Sequence, residues 1–230
     1  MKLDVTNYTK IKVILFLIIF FYNKKIRNFC KFLLSNFKIS KSQVFQDLFV
    51  IYFSNKKKFG NFIEIGVGDG KIISNTYMLE SKFKWVGILC EPNIYLQKKI
   101  LKTRNSKLEK KPLSEYSKKK VPFFLNKDPY QSSILKSKNS KIIYLNTISL
   151  NHLFEKYKLS KNLDYISIDT EGNEFEILRK FNFKKYNIKI FSIEHNFDTA
   201  KRNKIYKLMH KNGYKRVYKF FSYMDDWYIK

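Results

Sequence analysis

The sequence predicts one α/β domain built on a mostly parallel β-sheet with helices on both faces. From about residue 42 to the C-terminus, short apolar segments of β-prone residues alternate with helical segments, as in folds that connect parallel strands through helices. Four of the apolar segments end in glycines or polar residues, which is typical of strands that open onto a binding crevice. A length of 230 residues accommodates one domain with a substantial core.

The first predicted elements follow one another closely after Ser42. A helical stretch over Leu48–Phe53 leads through a lysine-rich turn into a buried strand over Asn61–Ile65. A helix over Ser74–Ser81, capped by Ser74 or Asn75, and a strand over Trp85–Cys90 come next. A helix from Ile94 to about Thr103 ends this half, so two strand–helix units are predicted.

The second half repeats the alternation after a middle region of short β-like pieces between residues 107 and 146. Gly213 is the natural stop of the last helix because glycine readily adopts the left-handed conformation found after helices. The predicted elements are a helix over Leu150–Tyr157, a strand over Leu163–Ile168, a helix starting at Asn173, a strand over Ile188–Ile193, a helix over Thr199–Lys211, and closing strands over Tyr214–Phe221 and Trp227–Ile229.

Residues 1–40 form a basic and apolar extension before the predicted domain, which covers 41–230. Its apolar run, Val13–Tyr22, is ten residues long and flanked by lysines. A helix of that length covers about 15 Å, half of a bilayer core, and no small-residue cleavage site follows it. We therefore expect a helix that packs on the domain or contacts a membrane surface peripherally through residues 11–31, in preference to a membrane span.

The composition is strongly basic, with a formal net charge of +27, which would attract nucleic acid or an anionic membrane. The 46 basic residues are mostly lysines spread along the whole chain, and they occur together with many Asn, Ile, Phe and Tyr residues that share A/T-rich codons. A specific nucleic-acid reader would instead gather its charge and use arginine. The composition favours an enzyme with a solvated lysine coat and no specific nucleic-acid partner.

The two cysteines, Cys30 and Cys90, are too few for a disulfide scaffold. No Cys/His group has the spacing of a zinc site. These features are typical of a reducing compartment, so a cytoplasmic protein is expected, held peripherally at a membrane if the N-terminal helix contacts one.

The segment Gly66-Val-Gly-Asp-Gly70 follows the first predicted strand. Its glycines allow a sharp turn and a close approach of a ligand to the backbone. The spacing differs from the G-x-G-x-x-G of dinucleotide sites, and Asp69 would oppose a pyrophosphate but suits a cationic cofactor such as S-adenosylmethionine. Glu64, inside the strand, requires a partner, either a backbone amide or the cofactor's ammonium group. An ordinary glycine turn is the alternative.

Glu91 ends the second predicted strand. A carboxylate at that position can accept hydrogen bonds from both ribose hydroxyls of a nucleoside. Enzymes that bind nicotinamide dinucleotides share this feature, so Glu91 predicts a nucleoside ligand without choosing which. A solvated surface acid is the alternative, although the apolar run before it disfavours exposure.

Two further strand ends carry candidate catalytic residues. Asp169 and Glu171 follow the strand ending at Ile168, where carboxylates can orient an acceptor hydroxyl or remove its proton. They could also hold a divalent metal, although no metal site is assigned, and Asp169 or Thr170 is expected to cap the next helix as well. His195 follows another strand and is a candidate general base or a structural histidine.

Taken together, these segments resemble the FkbM-type methyltransferases, in order, from about Ser42 to the C-terminus. The segments that carry the resemblance are Ser42-Gln43 with Gln46-Asp47, Phe62–Gly70, Ser74-Asn75-Thr76 with Leu79-Glu80, Glu91-Pro92-Asn93, Leu163–Glu174 and Ile193-Glu194. The resemblance implies a class I Rossmann-like methyltransferase fold with a seven-stranded sheet. It also implies transfer of a methyl group from S-adenosyl-L-methionine, usually to an oxygen of a sugar, glycolipid or secondary metabolite.

The cofactor contacts are assigned along the chain. The contacts to the cofactor's amino-acid end and to the backbone fall to Glu64, Gly66, Gly68, Asp69, Gly70 and Asn75, the ribose to Glu91 with Pro92 and Asn93 beside it, and the adenine side to Ser114. Asp169, Glu171 and His195 are the predicted catalytic residues, acting on a small-molecule or glycan acceptor. The alternative function is a non-catalytic protein on a Rossmann-like scaffold that binds membrane surfaces or nucleic acid.

Overall fold

The computed structural model describes residues 26–136, 139–219 and 221–230. The apolar run Val13–Tyr22 and most of the expected membrane-contact segment lie outside the described residues. None of the described helices is both long and apolar enough to cross a bilayer.

The helices and strands agree closely with the predicted alternation. The helices are α1 Arg27–Asn36, α2 Gln46–Phe53, α3 Tyr77–Phe83, α4 Ile94–Thr103, α5 Leu150–Lys156, α6 Glu174–Arg179 and α7 Thr199–Lys211. The strands are β1 Asn61–Ile65, β2 Val86–Cys90, β3 Lys107–Glu109, β4 Lys120–Leu125, β5 Lys141–Asn146, β6 Asn162–Ile168, β7 Asn187–Glu194, β8 Lys215–Val217 and β9 Asp225–Ile229. Short 3₁₀ turns cover Phe37–Ile39 and Pro129–Gln131.

Within the described residues, seven strands form one sheet in the order β3-β2-β1-β6-β7-β9-β8. The pairs from β3 to β7 are parallel, and β9 runs antiparallel to β7 and β8. β4 and β5 form a separate antiparallel pair. The predicted seven-stranded, mostly parallel sheet is confirmed.

Alternating residues of the central strands face two different hydrophobic layers. Ile63 and Ile65 of β1 pack in the layer under α5, α6 and α7, while Phe62 packs in the layer under α1, α2 and α3. β6 alternates in the same way, with Ile166 on the first side and Tyr165 on the second. A strand that is apolar on both faces is the expected consequence of burial on both sides.

Helix α1 packs on the domain at its described residues. Phe29 is fully buried, and its ring stacks on Tyr218 at a centroid distance of 4.2 Å and meets Trp227 edge-on at 6.2 Å. Leu33, one turn later, is also fully buried. The segment from residue 26 onward therefore follows the packed alternative.

Two predicted elements have a boundary that is wrong by three residues or more. The helix predicted from Ser74 begins at Tyr77, because the Ser74 hydroxyl accepts from the Thr76 and Tyr77 amides and folds the chain into a turn first. The strand predicted over Tyr214–Phe221 is only Lys215–Val217, since Tyr218 adopts a φ of 49° and leaves the extended conformation.

The expected cap at Asp169 or Thr170 was also wrong. Glu171 has a φ of 58° and Gly172 a φ of 122°, so the chain turns again before α6 begins, and Asn173 occupies the N-cap position.

Candidate active site

A cavity of about 780 Å³ opens at the carboxyl ends of the central strands. Its wall contains residues at or just after four strand ends: Gly66, Glu91, Asp169 and Glu194. The sheet order changes direction between β1 and β6, and such switch points form ligand crevices in open α/β sheets. The predicted convergence of four strand ends on one crevice is therefore present.

The glycine turn after β1 fits closely against the loop after β6. The Asp169 amide donates to the Ile65 carbonyl at 2.8 Å. A Cβ on Gly66 would lie 1.5 Å from the Asp169 carbonyl oxygen, and Gly66 has a φ of 80°. Only glycine fits at this position, so β1 and β6 can remain adjacent up to the cavity wall.

Glu91 is buried and lines the cavity, with its carboxylate directed back toward the glycine turn. Its Oε2 accepts from the amides of Val67 and Gly68, each at 3.2 Å, and its Oε1 accepts from the Asn93 amide at 2.9 Å. Burial nevertheless raises the pKa of Glu91 to about 7. The side chain can thus bind a ligand while fixing the loop that surrounds it.

Glu64 has its partners within the protein and is not among the residues lining the cavity. Its carboxylate accepts from the Asn75 amide and the Thr76 hydroxyl, each at 2.6 Å, and from the Ser74 hydroxyl at 3.1 Å. Arg104 lies 3.5 Å away as its ion-pair partner. Of the two predicted partners, the backbone amide is the one present, and Glu64 holds the loop that carries Asn75.

Asn75 belongs to the cavity wall. Its Nδ2 donates to the Ser167 hydroxyl at 2.8 Å, whereas its buried Oδ1 has no hydrogen-bond partner among the described residues. Buried amide oxygens are normally satisfied, so this atom marks an acceptor available to a ligand.

The other predicted cofactor residues divide into two groups. Gly68 and Pro92 line the cavity, together with the Tyr130 ring, which is 2.7 Å from where a Cβ on Gly68 would lie. The residues outside the lining are Asp69, Gly70, Asn93 and Ser114. The Asp69 carboxylate accepts from the amides of Lys71 and Ile72, and the Gly70 carbonyl accepts from Arg104. Asn93 caps α4, and the Ser114 amide donates to the Ile148 carbonyl.

Opposite the glycine turn, three carboxylates meet. Asp169 follows β6, Glu194 ends β7, and the parallel register pairs Ile168 with Ile193 immediately before them. One oxygen each from Asp169, Glu171 and Glu194 lie within 4.8 Å of one another. Burial, and repulsion from the surrounding carboxylates, raise the pKa of Asp169 and of Glu194 well above their ordinary values. The pair accordingly favours holding a proton.

A buried ion pair holds the loop that presents these acids. Glu174 is fully buried, and its Oε1 accepts from the Thr170 amide, the Thr170 hydroxyl and the Gly172 amide at 2.9 to 3.0 Å. Its Oε2 pairs with Lys201 of α7 at 2.8 Å. These contacts stabilise Glu171 in its left-handed backbone conformation, which is uncommon for residues other than glycine.

His195 is buried, and the residues lining the cavity do not include it. Its Nε2 contacts the Asp225 carbonyl at 3.1 Å, and its Nδ1 accepts from the Phe197 amide at 3.1 Å. These partners assign the ring as neutral with the proton on Nε2, and burial lowers its pKa. The histidine therefore holds the turn after β7.

Sequence reasoning did not identify Arg104, Glu174 or Lys201 as residues that organise the site. Arg104 lies just after α4 in a chain rich in basic residues, and no local pattern distinguishes it. The burial of Glu64 offered one signal, because a carboxylate inside an apolar strand needs a cation or several donors.

Residues 64–216 match the Methyltransferase FkbM domain. The chain belongs to the FkbM methyltransferase family. The resemblance carried by the strand-end motifs is therefore confirmed, and with it the class I methyltransferase fold. No curated protein gives a significant match to the chain.

Solved structures that resemble the fold do so at low sequence identity. The precorrin-6y C5,15-methyltransferase of Geobacter metallireducens GS-15 shows 12% identity and a TM-score of 0.43 over 80% of this chain and 85% of its own. The N-terminal domain of human METTL16 in complex with SAH shows 13% identity and a TM-score of 0.43 over 79% of this chain and 66% of its own. Human methyltransferase 10 domain containing protein shows 10% identity and a TM-score of 0.45 over 80% of each chain.

Proposed function

We propose that this FkbM-family protein uses S-adenosyl-L-methionine to methylate a hydroxyl oxygen of a sugar, glycan, glycolipid or secondary metabolite. The observation that carries the proposal is the shared cavity: the glycine turn and Glu91 form one side, and Asp169 and Glu171 form the other. One side suits a nucleoside cofactor, and the other suits a hydroxyl that must be oriented and deprotonated.

The residues of the cavity wall fit this cofactor. Glu91 can accept hydrogen bonds from ribose hydroxyls, and the unpartnered Asn75 Oδ1 can accept one from the ammonium of the amino-acid end. Gly68 lets the cofactor approach the backbone closely, since it has no side chain and a φ of 62°. The carboxylates across the cavity favour a cationic ligand and oppose the pyrophosphate of a dinucleotide.

The cofactor supplies a methyl group activated by a sulfonium. The protein's part is to exclude water, align the acceptor and remove a proton. Asp169 and Glu171 accept hydrogen bonds from the acceptor hydroxyl and orient its oxygen. Glu194 lies beside Asp169, so the pair can take up the proton that the hydroxyl releases.

The cofactor assignment is tested by calorimetry with S-adenosylmethionine and S-adenosylhomocysteine on the full chain. Glu91→Ala removes the ribose acceptor, and we expect both ligands to bind at least about 100-fold more weakly, the loss of two charge-assisted hydrogen bonds. Glu176→Ala is the control, because Glu176 is an exposed acid of α6 that pairs with Arg179. Unchanged affinity in Glu91→Ala would show that the ribose does not lie at β2.

Thermal-shift measurements separate this proposal from a dinucleotide enzyme and from a non-catalytic binder. The two sulfur cofactors should raise the melting temperature, whereas NAD should not. The acceptor class is then tested with methyl-labelled cofactor and a panel of sugars, glycolipids and RNA. Label found only on the bases of RNA, located by nucleoside analysis, would contradict the proposed acceptor.

A further inference from the structure

The three carboxylates at or just beyond the ends of β6 and β7 are close to the spacing of ligands on one cation. Oxygens bound to the same ion are separated by at most twice the metal–oxygen distance, about 4.2 Å for Mg²⁺ and about 5 Å for Ca²⁺. The oxygens of Asp169, Glu171 and Glu194 lie within 4.8 Å of one another. A small change in side-chain rotamer would therefore bring all three onto a hard divalent ion.

An unsatisfied atom gives an independent indication. Glu194 is 4% exposed and lines the cavity, yet its Oε2 has no hydrogen-bond partner among the described residues. A buried carboxylate oxygen without a partner is unfavourable, and a bound cation removes that penalty. The neighbouring acid Asp225, in contrast, has a donor within the protein, because its Oδ2 accepts from the Gln46 side chain at 2.7 Å.

The lysine near these acids already pairs with another carboxylate. Lys201 attracts the Glu171 carboxylate, but its ammonium forms an ion pair with Glu174 at 2.8 Å. Among the ion pairs of the described residues, none involves Asp169, Glu171 or Glu194. Three acids thus face one cavity without a protein cation between them, in contrast to Glu64 and Glu174.

We propose that Asp169, Glu171 and Glu194 bind one divalent cation of the Mg²⁺ or Mn²⁺ type beside the proposed methyl-transfer site. An all-oxygen, carboxylate-rich donor set selects such hard ions over zinc or copper. The ion offsets two of the three negative charges and provides a position for the acceptor oxygen, whose proton then passes to a carboxylate oxygen that does not bind the ion. That last role rests on the proposed function, whereas binding of the ion does not.

The test uses the full chain, treated with a chelator and dialysed, with no cofactor present. Titration with Mn²⁺, followed by the electron paramagnetic resonance signal of the free ion, should show one bound ion per chain. Glu194→Gln and Asp169→Asn should each weaken Mn²⁺ binding by more than about tenfold, the smallest effect expected even for outer-shell partners of a metal. Circular dichroism confirms that each variant is folded.

Two matched variants separate this site from the rest of the molecule. Glu176→Gln removes an exposed acid of α6 and should leave Mn²⁺ affinity unchanged. Glu91→Gln should also leave it unchanged while weakening S-adenosylhomocysteine binding, so failure of the cofactor proposal and failure of the cation proposal give different results. The proposed site would be overturned if the folded protein bound no stoichiometric Mn²⁺ ion. It would also be overturned if Glu194→Gln and Asp169→Asn each bound Mn²⁺ as tightly as the unchanged protein does.

Discussion

Two groups of acids, each with a buried member, lie on or near this sheet and are stabilised in opposite ways. Glu64 and Glu80 share one guanidinium, because Arg104 contacts Glu64 at 3.5 Å and Glu80 at 2.9 Å. Asp169, Glu171 and Glu194 face a cavity and have no such partner among the described ion pairs. The first group is satisfied by the protein itself, whereas the second requires a proton or a ligand. The comparison separates acids that hold the fold from acids that we propose act on other molecules.

The largest effect is expected at Arg104. Its guanidinium also donates to the Gly70 carbonyl at 3.0 Å and to the Thr76 hydroxyl at 2.8 Å, so Arg104→Met leaves Glu64 buried without a cation. Breaking a buried ion pair on one side should lower the free energy of unfolding by about 3–5 kcal/mol, measured by urea denaturation. Arg179→Met, which breaks ion pairs that solvent screens, should lower the free energy of unfolding far less than Arg104→Met.

A double variant tests whether Arg104 and Glu64 stabilise one another. The double variant Arg104→Met with Glu64→Gln should lose less stability than the two single variants added together, because each change removes the need for the other. Simple additivity would mean that the two side chains do not stabilise one another.

The second-largest effect is expected at Lys201, whose ion pair with Glu174 holds the loop after β6. Lys201→Met deprives the fully buried Glu174 of its ion pair, and we expect a loss of about 2 kcal/mol, as for hydrogen bonds to charged groups. Hydrogen exchange at the amides of Thr170 and Gly172 should accelerate as well, since Glu174 accepts from both. Lys207→Met, an exposed change on the same helix, is the control and should alter neither quantity.

The sequence alone predicted most of the sheet. β1 over Asn61–Ile65, α4 over Ile94–Thr103 and α7 over Thr199–Lys211 lie at their predicted bounds, because hydrophobic period and stop residues determine these elements locally. Some predictions that depended on turn geometry were wrong. The start of α3, for example, depends on the bonds that the Ser74 hydroxyl makes.

The candidate site was predicted in part. Parallel strands align their carboxyl ends, so the cavity-lining positions Gly66, Glu91 and Asp169 could be named in advance. The partners of these residues could not, because they come from distant segments: Arg104 reaches Glu64, and Lys201 reaches Glu174. The burial of His195 likewise depends on the turn that leads into β9.

Glu91 shares features of both groups, because it accepts hydrogen bonds from the protein and also lines the cavity. A change of pH converts it between its ionised and protonated states. Burial raises its pKa to about 7, so the carboxylate is ionised above that pH and protonated below it. In the proposed cofactor complex, only the ionised form accepts from both ribose hydroxyls. S-adenosylhomocysteine affinity should therefore fall by up to about tenfold per pH unit below pH 7. Calorimetry from pH 5.5 to 8.5 measures the slope. Glu91→Gln should bind weakly at every pH, and a slope retained in that variant would assign the titration to another group.

The smallest effect is expected at Glu194. Its substitution should raise the free energy of unfolding, whereas substitution of Arg104 should lower it. Burial and repulsion raise the pKa of Glu194, so its contribution to stability is complete below the pKa of the unfolded chain and declines as pH rises. Glu194→Gln removes this loss, and in the presence of a chelator at pH 8 it should raise the free energy of unfolding by about 1 kcal/mol. The gain should disappear near pH 4. Burial raises the pKa of Glu64 as well, but Glu64→Gln should lower stability, because Arg104 and the Ser74 and Thr76 hydroxyls all lose a charged acceptor. If both substitutions destabilised the protein equally, the two groups of acids would not differ in the way their contacts indicate.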